Sequence, residues 1–306
     1  MEKKLALRGM LLTLFGGTLW GFSGTCGQFL LQTKGLTSDW LVPIRLFSAG
    51  LALVLLCLVR EKSRAFVIWR ENAGRLLVFG VLGMSMCQYT YFTAIGASNA
   101  GTATVLQYLG PVLIMIYLSV RSRQMPSPTE LAAIVLAVLG TFLLATHGKP
   151  GAMALSGKAL FWGLASAVAL AIYTVQPVPL LNRYGSAMVT GWGMLVGGVA
   201  LGLLFRPWMM QVQVDSVVVL GMALIILLGT VAAFTAYLEG IRCVGPKKGS
   251  LYASIEPVSA TIFSFLWMKT EFGYMDLLGF ACILSTIFLL SAGSPHTGSH
   301  IRNKVV

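Results

Sequence analysis

The sequence predicts an all-α integral membrane protein of ten transmembrane helices, arranged as two inverted five-helix repeats around a central cavity. Three observations carry this prediction: the composition, the spacing of the apolar runs, and a repeat within the chain. Of the 306 residues, 57% are hydrophobic and only 10% are charged. A soluble domain carries about 25% charged residues. The chain is therefore expected to lie in a lipid bilayer.

Ten apolar runs of about 20 residues, the length that crosses a bilayer as a helix, follow one another with short connections. They cover residues 8–31, 40–59, 72–95, 100–120, 130–146, 158–178, 188–205, 216–239, 248–268 and 275–292. The polar stretch at 294–306 is expected to be a disordered cytoplasmic tail.

The distribution of Lys and Arg predicts the orientation of the chain. If the N-terminus is cytoplasmic, sixteen of the 22 Lys and Arg residues face the cytoplasm, five face the other side, and Arg45 lies within a span. Cytoplasmic loops carry the excess of these residues. Both termini are therefore expected in the cytoplasm. The net charge of +12 follows from this topology, so no nucleic-acid partner is expected.

Short motifs recur in the two halves of the chain. A Trp-Gly pair begins at Trp20 in the first span and again at Trp162 in the sixth, and Pro111 recurs as Pro257 at a shift of 146 residues. Because five is an odd number of spans, the second copy enters the bilayer from the opposite side, which makes the repeat inverted. The predicted boundaries are residues 1–147 for the first repeat and 148–293 for the second.

These features resemble the drug/metabolite transporter superfamily, in its EamA-type branch. The resemblance covers nearly the whole chain and rests on the paired halves, the two Trp-Gly pairs, Arg45 in the second span and Glu256-Pro257 in the ninth. It implies a basket-like bundle whose cavity is lined by spans one, three, four, six, eight and nine. It also implies export of amino acids or related small metabolites across the bacterial inner (plasma) membrane.

Glu256 is the main candidate for a functional residue. A carboxylate at the centre of a membrane helix costs about 2.5–3.5 kcal/mol on insertion scales, and the proline beside it removes a backbone hydrogen bond. We expect Glu256 to bind a substrate amine or to carry a coupling proton; the alternative is a structural carboxyl that braces the kink. Pro111 and Pro257 are the expected bend points of spans four and nine.

Aromatic and amide side chains on the inner faces of the spans complete the predicted substrate site. Together with Glu256 they are Trp20, Gln28, Gln88, Tyr91, Gln107, Tyr108, Trp162, Tyr173, Tyr237 and Tyr252. A lining with few charges suits a small zwitterion or an uncharged metabolite with an apolar portion. The alternatives are helix packing for the two tryptophans and interface anchoring for Tyr91 and Tyr237. Arg45 is expected to snorkel to the outer interface; the alternative is that it holds a substrate carboxylate or a helix carbonyl.

A secondary carrier that exposes one central site to alternate sides is the predicted function, with a small-molecule substrate and protons as a candidate coupling ion. Efflux of small cations or drugs, uptake of a metabolite, and a membrane protein without transport activity are the alternatives. An enzyme is not expected, because the spans hold no His pair, carboxylate pair or nucleophile–base arrangement. The five cysteines lack metal or disulfide spacing, so no metal or cofactor is expected. The duplication makes a monomer plausible and leaves a dimer open.

Overall fold

The computed structural model describes residues 2–61, 66–123, 125–149, 153–244, 249 and 252–292. Within these ranges the chain is helical and contains no β-strand. Eight helices are long and apolar enough to cross a membrane, and two shorter apolar helices follow them. The prediction of an all-α chain built for a bilayer is confirmed. The predicted tail at 294–306 and parts of the start of the predicted ninth span lie outside the described residues.

Seven helices make up the first half of the chain. They are α1 (Glu2–Gln28), α2 (Ser38–Glu61), α3 (Val67–Val78), α4 (Met86–Ala97), α5 (Ala100–Gln107), α6 (Gly110–Ser122) and α7 (Pro128–Thr146). A π-helical segment extends α1 over Phe29–Thr33, and another joins α3 to α4 over Phe79–Ser85. A break at Tyr108 and Leu109 separates α5 from α6 within one apolar span.

Seven helices of seven residues or more lie among the described residues of the second half. They are α8 (Gly157–Val175), α9 (Val178–Tyr184), α10 (Ser186–Phe205), α11 (Ser216–Ile226), α12 (Ala233–Val244), α13 (Ile255–Leu266) and α14 (Tyr274–Ala292). A π-helical segment over Leu227–Ala232 joins α11 to α12. A turn at Ser254 precedes α13.

Helix starts in the loops follow from capping side chains. The Asp215 carboxylate accepts the backbone N–H of Val218 at 2.8 Å and the Lys34 ammonium at 2.6 Å, so it caps α11 and ties it to the end of α1. The Lys34 ammonium and the backbone N–H hold the pKa of Asp215 below its ordinary value. This contact therefore contributes stability at neutral pH and loses it only as the pH falls through the lowered pKa.

Glycines let the backbones of α2 and α10 approach closely, as small residues do between membrane helices. A Cβ atom added to Gly198 would lie 2.4 Å from the backbone nitrogen of Phe47, and one added to Gly50 would lie 2.4 Å from the backbone nitrogen of Leu195. The two helices pack along much of their length. This contact joins the second span of one half to its counterpart in the other.

Similar helix contacts recur in the two parts of the chain. The first span packs against α12 and α13, and the sixth span packs against α4 and α6, which lie about 146 residues earlier in the sequence than α12 and α13. The pairs α2 with α10 and α7 with α14 each join helices with about the same offset. These are contacts that the repeat predicted from the sequence would make.

The local irregularities of the helices also match between the halves. The π segments Phe79–Ser85 and Leu227–Ala232 occupy equivalent spans. In each, a hydroxyl group donates to the carbonyl five residues back: Ser85 Oγ to Gly80 O at 2.8 Å, and Thr230 Oγ1 to Ile225 O at 3.1 Å. These hydroxyls satisfy backbone carbonyls that the wider helical turn would leave unpaired.

We expect Gly198→Ala to lower the midpoint of thermal unfolding, because the added methyl group would meet the α2 backbone and force the helices apart. Overpacking of this kind costs about 1–3 kcal/mol. Gly74→Ala is the matched control, since nothing lies within 4 Å of a Cβ atom at that position. Thermal unfolding of both purified variants in the same detergent makes the comparison. Equal midpoints would contradict the close approach of α2 and α10.

Candidate functional site

Glu256 and Tyr108 meet across two helix breaks. Tyr108 lies in the break between α5 and α6, and Glu256 lies in the first turn of α13, directly after the turn at Ser254. The Tyr108 hydroxyl lies 3.1 Å from Glu256 Oε2 and 3.2 Å from the carbonyl oxygen of Ala253. The carboxylate therefore has a hydrogen-bond donor from the opposite half of the chain.

The two prolines lie in the first turn of the helix that follows each break. Pro111 is the second residue of α6 and Pro257 is the third residue of α13. A proline is tolerated there because the first N–H groups of a helix have no intrahelical partner. The sequence thus restarts a helix at equivalent points in both halves, beside the polar contact.

Arg45 lies in the interior of the bundle and is only 5% exposed. Its Nη1 donates to Gln88 Oε1 at 2.8 Å, and its Nη2 lies 3.5 Å from Thr230 Oγ1. The guanidinium carbon lies 4.7 Å from the centre of the Phe92 ring. The expectation that Arg45 snorkels to the interface is wrong, because the inner face of α2 turns this side chain toward α4 and the π segment after α11.

The contact of Gln107 Nε2 with Cys87 Sγ at 3.8 Å brings the Tyr108–Glu256 contact close to the Gln88–Arg45 contact, because Gln107 precedes Tyr108 and Cys87 precedes Gln88. Arg45 and Glu256 form no direct ion pair, and the ion pairs found among the described residues join other groups. The Tyr91 hydroxyl is held by Thr104 Oγ1 at 2.7 Å. Arg45 and Glu256 are therefore each bound by neutral hydrogen-bond partners.

Each of the two equivalent tryptophans contacts aromatic rings of the other half. The Trp20 ring centre lies 5.0 Å from that of Phe234 and 4.9 Å from that of Tyr237. The Trp162 ring lies edge-on to Tyr89, with centres 5.8 Å apart. All five side chains are partly exposed.

The remaining predicted residues occupy different surroundings. Gln107 is buried, with Nε2 3.8 Å from Cys87 Sγ, and the Tyr173 ring stacks on Phe79 with centres 5.6 Å apart. Tyr252 lines a cavity of about 260 Å³ beside the N-terminal part of α1. Of the residues that the sequence predicts for the site, Glu256, Tyr108 and Gln88 lie in one neighbourhood. Tyr252 lies at the edge of this neighbourhood.

Two cavities lie outside the cluster of Arg45 and Glu256. One is the space beside Tyr252, and the other is an apolar groove of about 560 Å³ between α6, α7 and α8. Neither is lined by Arg45 or Glu256. Within the cluster, Gln88, Tyr108 and Glu256 are partly exposed, so space for water adjoins these three side chains.

Gln28 is engaged on both ends of its amide by protein groups. Its Oε1 accepts the backbone N–H of Ala100 at 2.9 Å and the hydroxyl of Ser264 at 3.0 Å. Its Nε2 lies 3.1 Å from Gln32 Oε1 and 3.2 Å from Thr270 Oγ1. The side chain is 2% exposed. This amide joins α1 to the start of α5 and the end of α13, so we expect it to hold helices together.

Phe92 was missed by sequence reasoning, and the inward direction of Arg45 was only the alternative to snorkelling. One signal was available: Arg45 lies seven residues into α2, about 10 Å from its start at the rise of an α-helix. At that depth the side chain can reach a partner inside the bundle instead of extending to the interface. Phe92 carried no signal, since an apolar residue in an apolar helix looks like any other.

Comparisons with known proteins give one consistent result. A model of the EamA-like transporter family matches residues 7–146 and again residues 157–292. An uncharacterized inner membrane transporter, YicL, of Salmonella typhimurium is 38% identical over 288 residues, which cover 94% of this chain and 96% of that protein. An uncharacterized transporter, YetK, of Bacillus subtilis is 26% identical over 257 residues, which cover 79% of this chain and 74% of that protein.

A protein of known crystal structure has a similar fold. The two superpose with a TM-score of 0.61 over 94% of this chain and 96% of the other, at 17% sequence identity. At this level of identity the likeness concerns the fold alone.

We expect Gln28→Leu to lower the free energy of unfolding, because it leaves the Ala100 N–H and the Ser264 hydroxyl without their acceptor. A buried group left unpaired costs about 1–3 kcal/mol. Gln176→Leu is the matched control, since Gln176 makes one bond, to the Arg75 carbonyl, and its buried Oε1 has no partner among the described residues. Chemical unfolding of both variants in detergent tests this. A smaller loss for Gln28→Leu than for Gln176→Leu would contradict the assignment.

Proposed function

Because the chain belongs to the EamA-like transporter family, we propose that it is a secondary transporter that moves a small metabolite across the bacterial inner membrane by alternating access. An amino acid or a related compound is the proposed substrate, with export as the proposed direction. The observation that carries this proposal is the polar cluster of Arg45, Gln88, Tyr108 and Glu256, which lies where the two halves meet. The printed name of the Salmonella relative supports the inner membrane as its location.

We further propose that residues 1–147 and 148–293 are inverted five-helix repeats with both termini in the cytoplasm. The double match of the family model, the recurring helix contacts and the paired π segments support a repeat. The excess of Lys and Arg on the N-terminal side supports the orientation.

The contact of Glu256 with Tyr108 offers a way to couple binding to movement. The Tyr108 hydroxyl has two acceptors within reach, Glu256 Oε2 and the carbonyl of Ala253, but only one proton to donate. An ammonium group or a proton on Glu256 would shift that donation toward the carbonyl. These groups lie at the breaks before Pro111 and Pro257. A shift of the hydrogen bond would therefore change the angle between the helices at both breaks.

Efflux of small cations is the second candidate function. A single carboxylate near the aromatic rings of Tyr91 and Tyr108 can hold a quaternary ammonium ion through charge and cation–π attraction. Transport of tetramethylammonium without transport of amino acids would favour this function.

We expect Glu256→Gln to reduce transport at least about tenfold while leaving the unfolding midpoint near that of the wild type, because the amide keeps the size of the side chain and removes its charge. The assay is uptake of radiolabelled amino acids by counterflow into proteoliposomes at two pH values. Glu271→Gln, on an exposed residue, is the matched control. If Glu256 carries a coupling proton, the variant should also lose the pH dependence of the wild type.

Wild-type rates with wild-type pH dependence in Glu256→Gln would remove Glu256 from the mechanism. A fall in transport matched by the Glu271→Gln variant would show that loss of any acid has this effect, and would contradict a special role for Glu256.

A further inference from the structure

Arg45 is a buried cation that lacks an acid partner. It is the one charged side chain among the buried residues of the described chain, and no described carboxylate pairs with it. A guanidinium group placed in a low-dielectric interior is costly unless an anion and hydrogen-bond acceptors compensate it. The neutral acceptors of Gln88 and Thr230 orient the group without neutralising it. A buried guanidinium group that has only neutral acceptors points to an anion that binds from outside the protein.

The guanidinium group retains unused donors. It carries five N–H groups, and among the described residues two of them are directed at Gln88 Oε1 and Thr230 Oγ1. The Phe92 ring covers one face of the plane. The remaining N–H groups lie in the plane, where a guanidinium group binds a carboxylate through two parallel hydrogen bonds.

Glu256 provides the opposite charge from the other half of the chain. The two charged groups form no ion pair, since Arg45 bonds to Gln88 and Glu256 accepts from Tyr108. Gln88 and Glu256 are both partly exposed, so space for water adjoins both side chains. A separated cation and anion favour a ligand whose own charges are separated in the opposite sense.

We propose that Arg45 determines the substrate specificity of the central site by binding the carboxylate, or another anionic group, of the substrate while Glu256 binds its ammonium group. This inference rests on the proposed transport function. A plain amine would leave Arg45 without its anion, and a plain acid would leave Glu256 without its cation. Both are therefore expected to bind more weakly than the zwitterion.

Three matched probes test this: phenylalanine, its carboxamide, which lacks the anionic group, and 3-phenylpropionate, which lacks the amine. Binding to the purified full-length protein is measured by isothermal titration for the wild type, Arg45→Gln and Arg45→Lys. Arg75→Gln, which removes an exposed cation outside the site, is the control. The corresponding three probes derived from leucine control for a preference of the site for one substrate side chain.

The wild type should bind a parent amino acid at least about tenfold more tightly than its amide, the difference expected when a charge-assisted hydrogen bond is lost. Arg45→Gln should weaken the amino acid about tenfold and leave the amide unchanged. Arg45→Lys should recover part of the difference in affinity between the amino acid and its amide. If Arg45→Gln does not fold, Arg45→Lys alone tests the role of Arg45. The role of Arg45 would be overturned if Arg45→Gln weakened binding of the amino acid and of the amide equally. It would also be overturned if the wild type bound the amide as tightly as the amino acid, or bound neither.

Transport of the same probes into proteoliposomes separates this inference from the proposed function. Transport of the amide at the rate of the amino acid would overturn the anion site and leave a carrier. Binding that depends on Arg45 without transport of any probe would support the anion site and contradict the carrier.

Discussion

Inside a bilayer, every polar group must find its partners within the protein, and this constraint organises the bundle. Arg45 lies among an amide, a hydroxyl and an aromatic ring, and Glu256 accepts from a phenol. The Gln28 amide makes four contacts, three with groups on helical elements and one with Thr270 in a loop. All of these contacts except that between Gln28 and Gln32 join segments far apart in the sequence. The few polar side chains therefore position the helices as well as the candidate site.

The π segments and helix breaks lie next to the polar side chains of the interior. The π segment after α11 brings Thr230 within reach of Arg45, and the breaks before α6 and α13 bring Tyr108 to Glu256. Elsewhere the helices pack through glycines, as between α2 and α10. The bundle thus combines helix pairs packed through glycines with an interior in which Arg45 and Glu256 are paired with neutral groups.

The sequence was sufficient for the all-helical membrane class and the family, because both depend on local features: the length of apolar runs, and short motifs such as Glu256-Pro257. The family resemblance is confirmed by the match over both halves. The direction of Arg45 could not be obtained in this way, because distance from a helix end gives depth and does not say which face looks inward. The π segments were also missed, since they depend on which carbonyl Ser85 and Thr230 bind.

Access of water to the polar cluster tests the account most directly. In a protein whose five cysteines are replaced by serine or alanine, a single cysteine is placed at position 88 or, as the lipid-facing comparison, at position 82, where Leu82 is 53% exposed on the same span. A membrane-impermeant cationic thiol reagent is then added to the protein in nanodiscs. The account predicts rapid labelling at position 88 and slow labelling at 82. Labelling at 88 that is no faster than at 82 would contradict it.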